Sequence, residues 1–302
     1  MNCIFGIDIG GTEIKIGKFY GDKLEFKTSI KTDISDHGAR IFSDIFKKID
    51  ELSTGEKIDG IGIGVPGPVV KGVVNGAQNL GWGLVEAEAI IKKRYPKAYC
   101  RVLNDANVAA IGEMAVGSAR QYRNFVMVTL GTGIGGSIII NGEILEGITG
   151  AAGEIGHMQI EYGKKRKCNC GRYDCFEKYA SATGLVITAL ELMKGRQTLL
   201  HEREVSSRNI FDLAKEGDAV CLEAVDSMVG KLALAFGNIA AVFNPEAIII
   251  GGGVSKAGDF LLDKVEERFQ EICFYPVKDT KFVLATLGND AGIYGAAYAV
   301  RK

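Results

Sequence analysis

The chain has 302 residues, of which 47% are hydrophobic and 24% charged, and its 36 lysines and arginines nearly balance 37 aspartates and glutamates. A net charge of −1 argues against a broad electrostatic surface for nucleic acid or anionic membranes, and the length allows two domains. Forty glycines against five prolines, without a collagen period, predict many tight connections between strands and helices.

The N-terminus and the cysteines indicate the compartment. The stretch MNCIFGIDIGG lacks the basic and apolar regions of a signal peptide, and no run approaches the ~18 apolar residues that cross a bilayer. Seven cysteines, three of them within residues 168–175, suit a metal site or reduced thiols better than a disulfide framework. We therefore expect a cytoplasmic protein without a membrane partner.

The first fifty residues predict an antiparallel β-meander followed by a helix. Residues 3–9, 13–20 and 23–30 are apolar or alternating segments separated by glycine turns, the first of which is Gly10-Gly11-Thr12. Apolar residues at helical spacing over 38–52 predict the helix.

Strands and helices then alternate, as in a parallel sheet with crossover helices. We expect a strand at 60–65, an irregular loop rich in Gly, Pro and Asn, and a helix near 83–95. A strand at 99–104 and a helix that starts near Asp105 follow.

The segment VTLGTGIGGSIIING contains the G-x-G-x-x-G spacing of a dinucleotide-binding turn, from Gly131 to Gly136. That turn requires a following helix, whose N-terminus faces the pyrophosphate. Here β-branched residues at 138–140 and an Asn-Gly hairpin signal follow the glycines, and they predict a strand. We therefore reject NAD binding and expect two strands around a glycine turn, at 124–130 and 137–141.

This segment repeats the plan of the first strands. IDIGGTEIKIGKFYGDKLEF and TLGTGIGGSIIINGEILEG both read as strand, glycine turn, strand, turn and strand, about 120 residues apart. Backbone N–H groups in such turns bind anions, so two facing turns could hold a polyphosphate. Either turn alone is equally consistent with an ordinary hairpin. The pair, with Asp8 just before the first turn, favours a nucleotide site with Mg²⁺.

Seven motifs together resemble the ROK family of sugar kinases and related repressors, within the actin-like, hexokinase-type ATPase superfamily. They are FGIDIGGT (5–12), GVPGPV (64–69), LNDAN (103–107), TLGTGIGG (129–136), GEIGH (153–157), CNCGRYDCFE (168–177) and IIIGGGVS (248–255). The resemblance implies an α/β fold of two similar actin-like (ribonuclease H-like) domains, each a mixed sheet with flanking helices, with the active site in the cleft between them. The smaller domain would span 1–118, joined by a C-terminal helix at 289–302, and the larger domain would span 119–288.

Asn104 and Asp105 lie where the LNDAN motif passes from strand to helix. Spacing alone leaves Asp105 equally consistent with a helix cap and with a general base that takes the proton of a sugar hydroxyl. The resemblance implies that Asp105 is the catalytic base and that Asn104 contacts the sugar.

The stretch GHMQIEYGKKRKCNCGRYDC supplies one imidazole and three thiols, from His157, Cys168, Cys170 and Cys175. These are the donors of a closed tetrahedral zinc site, whose four protein ligands leave no position for an activated water, so the zinc would be structural. The alternative is three free cysteines on a solvated basic loop. Resembling sequences usually have glycine before the last cysteine, where this chain has Asp174.

The remaining contacts are implied by the resemblance. Glu154, His157 and Glu177 match sugar-binding positions, although Glu177 also suits the start of a helix. Trp82 is interpreted as a packing residue. The other sugar contacts would be Gly64 and Asn79, and the contacts to the nucleotide would be Asp8, Gly10, Gly11, Thr12, Gly131, Thr132, Gly133, Gly252 and Gly253.

The sequence therefore predicts an ATP-dependent kinase that phosphorylates a hexose on its primary hydroxyl, with Mg²⁺ and a structural zinc. A sugar-responsive repressor is the alternative, but DIGGT begins at Asp8, so we do not expect a preceding DNA-binding domain. A third possibility is an inactive sugar sensor. The intact Asp8, Asp105 and glycine turns argue against it. Glucose, mannose, fructose, allose and N-acetylated hexosamines remain open as substrates. We expect a homodimer that binds sugar and ATP but no nucleic acid.

Overall fold

The computed structural model describes residues 3–301. The chain forms two compact units: the first comprises the residues up to Gln121, Ile144–Ala152 and the residues from Leu287 onward, and the second comprises Tyr122–Glu143 and Gly153–Thr286. Within residues 3–301, no helix has the length and apolar character needed to span a bilayer.

The strands are β1 Cys3–Ile9, β2 Glu13–Tyr20, β3 Lys23–Lys31, β4 Ile58–Val65, β5 Val69–Val70, β6 Val73–Ala77, β7 Trp82–Val85, β8 Tyr99–Asn104, β9 Phe125–Leu130, β10 Ile134–Ile140, β11 Glu143–Ile144, β12 Ala247–Gly251 and β13 Lys281–Leu284. The α-helices are α1 Ile41–Ser53, α2 Ala87–Arg94, α3 Asp105–Val116, α4 Glu177–Ala180, α5 Ala182–Leu192, α6 Ser207–Lys215, α7 Ala219–Phe243, α8 Asp259–Ile272 and α9 Ala291–Ala299.

Two five-stranded sheets repeat one arrangement. The first sheet has the order β3-β2-β1-β4-β8, and the second has the order β11-β10-β9-β12-β13. In each sheet a central strand pairs antiparallel with the strand that follows it in the chain and parallel with a later strand: β1 pairs with β2 and β4, and β9 pairs with β10 and β12. The predicted α/β fold of two similar units with mixed sheets is confirmed.

The glycine turn of the second sheet leads into a strand, as predicted. β10 starts directly after Gly133, so no helix follows the G-x-G-x-x-G spacing, and the rejection of a dinucleotide-binding turn is confirmed. The strand starts three residues earlier than predicted, because its two internal glycines lie within the ladder opposite β9. Asn141 and Gly142 both have positive φ, as a two-residue hairpin turn requires.

The stretch between β4 and α2 is more regular than predicted. It contains a three-stranded sheet of β5, β6 and β7. The helix predicted near 83–95 begins only at Ala87, because residues 83–85 belong to β7. Trp82 in β7 is buried, stacks on Phe42 with ring centroids 5.3 Å apart, and donates from Nε1 to the Gly38 carbonyl. The structure thus places Trp82 in packing, as expected.

The C-terminal helix α9 lies directly on the first sheet and on α3. A Cβ atom built at Gly6 of β1 would lie 2.0 Å from the carbonyl oxygen of Ile293, so only glycine allows this approach. A Cβ at Gly295 would lie 1.6 Å from the carbonyl oxygen of Val108 in α3. The glycines therefore set the position of β1 and α3, which carry Asp8 and Asp105.

We expect Gly295→Ala to force α9 away from α3, because the added methyl group collides with backbone that cannot move independently. The free energy of unfolding should fall by about 3 kcal/mol, at the upper end of overpacking effects. Gly230→Ala in α7 is the matched control, since a Cβ there meets no atom within 4 Å. Thermal melts should show a clear loss for Gly295→Ala and none for Gly230→Ala; equal melting temperatures would contradict the packing argument.

Candidate functional site

Asp8, at the end of β1, has a largely buried carboxylate. Lys15 on β2 places its Nζ atom 4.0 Å from Asp8 Oδ2, and a Cβ atom at Gly292 would lie 2.6 Å from the same carboxylate. Burial raises the pKa of Asp8, while the charge of Lys15 opposes that rise. Asp8 is therefore fixed between β2 and the start of α9.

The turn after Asp8 presents exposed backbone. Gly10 N–H donates to the carbonyl oxygen of Glu13 at 2.9 Å, and the Thr32 hydroxyl donates to the Gly10 carbonyl oxygen at 2.7 Å. A Cβ at Gly11 would lie 3.6 Å from the carbonyl oxygen of Asn79. The first unit thus brings Asn79 next to the predicted phosphate turn. Thr12 and Gly11 are both exposed.

Asn104 provides the N-terminal cap of α3. Its Oδ1 accepts hydrogen bonds from the backbone N–H groups of Ala106 and Asn107, at 2.9 and 3.2 Å, and its amide nitrogen donates to the Gly67 carbonyl. Asp105 is exposed in the first turn of the helix. Asp105 Oδ1 also accepts from the Ala106 N–H, at 2.8 Å, so Asp105 adds to the cap, and its role as the base stays a prediction.

Gly64 is buried beneath α3. A Cβ atom at this position would lie 2.4 Å from a methyl group of Val108, so glycine allows β4 and α3 to approach. Gly64 thereby helps to place the first turn of α3, and with it Asp105.

In the second unit, the glycine turn lies against Glu177. The Gly131 N–H donates to the Gly133 carbonyl oxygen at 3.0 Å, and Thr132 at the tip of the turn is exposed. A Cβ at Gly133 would lie 2.6 Å from Glu177 Oε2. The other carboxylate oxygen, Oε1, lies 3.1 Å from the Sγ atom of Cys168. The Glu177 carboxylate thus lies between the glycine turn and the cysteine loop.

The segment that carries Glu154 and His157 packs on β10. A Cβ at Gly156 would lie 2.2 Å from the carbonyl oxygen of Ile134, so this segment runs directly against the backbone of the strand. Glu154 is exposed, and His157 is half-buried.

The four predicted metal donors converge. Nδ1 of His157 lies 3.7 Å from Sγ of Cys168, and the Sγ atoms of Cys170 and Cys175 are 3.6 Å apart. One donor atom from each of the four residues lies within 4.8 Å of the others. Zinc–sulfur bonds of about 2.3 Å in a tetrahedron separate the sulfurs by about 3.8 Å. The donor set and its spacing fit a tetrahedral zinc ion.

Burial and hydrogen bonds shift the pKa values of two of the thiols in opposite directions. Burial raises the pKa of Cys168 to about 12. Burial also opposes ionisation of Cys170, but hydrogen bonds from the Arg172 backbone and the neighbouring thiols outweigh it and lower the pKa of Cys170 to about 6.

Sequence reasoning missed the contribution of α6. A cavity of about 460 Å³ is lined by Gly253 together with α6 residues, including Arg208 and Phe211. No motif marks α6, and its sequence shows only an amphipathic helix, so the fold alone reveals this neighbour. Gly252 has φ +85°, and a Cβ there would lie 2.5 Å from the Leu130 carbonyl oxygen, so it packs on β9.

Comparison with known proteins places the chain in a family. The family model described as "ROK family" matches residues 4–302. The chain belongs to the ROK family. The motif-based prediction is confirmed.

Relatives of this ROK protein include kinases and a repressor. It is 38% identical to the glucokinase of Halalkalibacterium halodurans, with 98% of this chain and 94% of that protein covered. A ROK family glucokinase from Streptomyces griseus, solved in complex with glucose and AMPPNP, superposes with a TM-score of 0.80 at 29% identity over 99% of each chain. The xylose repressor of Caldicellulosiruptor bescii is 31% identical, with 91% of this chain and 71% of that protein covered.

Proposed function

We propose that this ROK protein is an ATP-dependent hexose kinase that transfers the γ-phosphoryl group of ATP to the primary hydroxyl of the sugar. The observation that carries the proposal is the similarity to glucokinases along nearly the whole of both chains, including one solved with glucose and AMPPNP. The ROK family match over residues 4–302 spans every motif assigned above to sugar and nucleotide.

Asp105 acts as the general base in this proposal. Its carboxylate is exposed in the first turn of α3, where the helix dipole favours the ionised form. It accepts the proton of the primary hydroxyl as the oxygen attacks the γ-phosphorus in line with the leaving group. Because Asn104 caps the helix, loss of the Asp105 charge leaves the fold in place.

The glycine turns bind the phosphates, and Asp8 binds the Mg²⁺ that accompanies them. The N–H groups of Gly10 and Gly131 already donate within their turns, so the exposed Gly11, Thr12 and Thr132 offer the backbone N–H groups that suit phosphate oxygens. The Asp8 carboxylate is the type of oxygen donor that Mg²⁺ takes, and it is held in place by Lys15 and α9. When bound, Mg²⁺ neutralises charge that develops on the transferred phosphoryl group.

The cavity beside Gly253 takes the adenosine moiety. Gly253 offers a backbone without a side chain, and α6 supplies the opposite wall with an aromatic ring and cationic side chains. A cavity of this size is within the range that holds a small ligand.

The sugar hydroxyls are bound by Asn79, Glu154, Glu177 and His157, with Asn104 contributing its amide. Carboxylates accept hydrogen bonds from hydroxyl groups, so a polyol compensates the loss of water around them. The Glu177 carboxylate lies beside both the glycine turn and Cys168, so the sugar site and the cysteine loop depend on each other.

A structural zinc held by His157, Cys168, Cys170 and Cys175 completes the proposal. Its chemistry is to bind four protein donors and to fix the loop, because no coordination position remains for water. The loop then holds Glu154 and Glu177 in place for the sugar.

The similarity to the xylose repressor favours a second candidate, a sugar-responsive regulator without kinase activity. Such a protein would bind sugar but release no ADP. A coupled assay of ADP release separates the two functions.

Asp105→Asn should lower kcat roughly 10²–10⁴-fold, as expected for loss of a general base. The melting temperature and the sugar dissociation constant should stay at wild-type values, because the α3 cap comes from Asn104. Asp44→Asn, which changes a first-turn acid of α1 outside the site, is the control and should retain full activity. More than a tenth of wild-type kcat in Asp105→Asn would place the base elsewhere.

Cys170→Ala should remove the zinc, raise the sugar KM strongly and lower the melting temperature, while the ATP KM changes little. Cys170 is exposed, so its truncation removes a metal ligand without creating a core cavity. Cys273→Ala changes a thiol outside the cluster and should keep one zinc per chain. Elemental analysis measures the zinc content, and separate titrations with sugar and with ATP give the two KM values. A wild-type protein without zinc would contradict the metal assignment.

Gly253→Leu should raise the ATP KM at least about tenfold, because the new side chain would take space that the adenosine needs. Such a change corresponds to a loss of about 1.4 kcal/mol in binding free energy, and the sugar affinity should stay unchanged. A side chain at Gly253 enters open space, since a Cβ there meets no atom within 4 Å, and it would fill part of the cavity. Gly230→Ala serves again as a control. An unchanged ATP KM would show that adenosine binds elsewhere.

A further inference from the structure

The loop that carries the metal donors contains a buried carboxylate without an assigned role. Asp174 directly precedes Cys175. Its backbone has φ +61°, in the left-handed region that glycine adopts most easily. Its side chain is wholly buried. The chain therefore keeps an aspartate where the backbone favours glycine and where burial of a charge is costly.

The contacts of Asp174 compensate both costs. Its Oδ1 atom accepts hydrogen bonds from the Arg166 backbone N–H at 2.9 Å and from the Tyr179 hydroxyl at 2.7 Å. Its Oδ2 atom accepts from the Lys165 N–H at 3.3 Å. The backbone of Asp174 donates to the Arg166 carbonyl at 2.8 Å and accepts from the Ile160 N–H at 3.0 Å. One residue thus joins three separate parts of the loop.

These three parts lie next to His157, Cys168 and Glu177 in the sequence. Ile160 follows His157 by three residues, Arg166 precedes Cys168 by two, and Tyr179 follows Glu177 by two.

Arg166 continues the connection toward α5. Its guanidinium lies 4.5 Å from the centre of the Tyr179 ring, and it donates to the Lys178 carbonyl at 2.8 Å and to the Thr188 hydroxyl at 3.0 Å. The network therefore ties the loop to the helices that follow it.

We propose that Asp174 is a positioning residue for the metal centre: its buried carboxylate holds the 165–166 backbone and the Tyr179 hydroxyl, so that the donors converge before a metal binds. The inference rests on the zinc centre proposed above. A loop held in this way slows release of the metal, because one donor that dissociates stays close to its position. Partners outside the ligand shell commonly change metal affinity by about 10–100-fold.

The two possible roles of position 174 predict opposite results for Asp174→Gly. If only the left-handed backbone matters, glycine is at least as good as aspartate, and zinc release stays at the wild-type rate. If the carboxylate matters, Asp174→Gly releases zinc to a chromophoric chelator roughly 10–100-fold faster. The backbone amides of Lys165 and Arg166 also exchange hydrogen faster, since they lose their acceptor. Asp174→Asn tolerates the same backbone and keeps one acceptor oxygen, so it should give intermediate values.

Asn244→Gly is the matched control, because it also replaces a left-handed non-glycine residue, at the end of α7. It should leave zinc release and the exchange of both amides unchanged. Wild-type release by Asp174→Gly, from a wild-type protein that holds one zinc per chain, overturns the inference and leaves the zinc centre standing. Absence of zinc from the wild-type protein overturns both. If Asp174→Gly does not fold, Asp174→Asn is compared with the wild type instead. Faster zinc release from Asp174→Asn then supports the inference, and wild-type release overturns it.

Discussion

In the second unit, the carboxylate of Glu177 joins the glycine turn to the cysteine loop. Glu177 starts α4 with one oxygen beside Gly133 and the other 3.1 Å from the Sγ atom of Cys168. A side chain at Gly133 would displace it, and a disordered cysteine loop would leave it without a neighbour on the other side. The glycine turn, the cysteine loop and Glu177 are therefore parts of one arrangement, although Gly133 precedes Cys168 by 35 residues in the sequence (168 − 133).

The first unit depends on close backbone approach instead. α9 comes from the C-terminal end of the chain and reaches β1, β4 and α3 because glycines leave space for its carbonyl groups. Asp8 lies at the end of β1 beside Gly292 of this helix, and Asp105 lies at the start of α3. Asp8 and Asp105, which the proposal assigns to Mg²⁺ and to proton transfer, are thus both placed by α9.

Local patterns predicted the hairpins, the core strands and the donor cluster, because alternation, turn residues and C-x-C spacing act over a few residues. They could not show how the first turn of α3 is capped, since Asn104 accepts from two of its N–H groups and Asp105 also accepts from one of them. The strand β7 was missed because residues 83–85 were included in the predicted helix, and pairing with β6 orders them as a strand. The α6 wall of the cavity and the contacts of Asp174 arise from the tertiary fold, so no local pattern could reveal them.

The central claim is transfer of a phosphoryl group to the primary hydroxyl of a hexose. It is tested most directly by ADP release from ATP and Mg²⁺ with a panel of hexoses, each paired with its 6-deoxy analogue. The account predicts sugar-dependent turnover with at least one hexose and none with its 6-deoxy analogue, which should inhibit competitively because the ring hydroxyls still bind. Equal ADP release with both members of a pair, or none with any hexose, would contradict it.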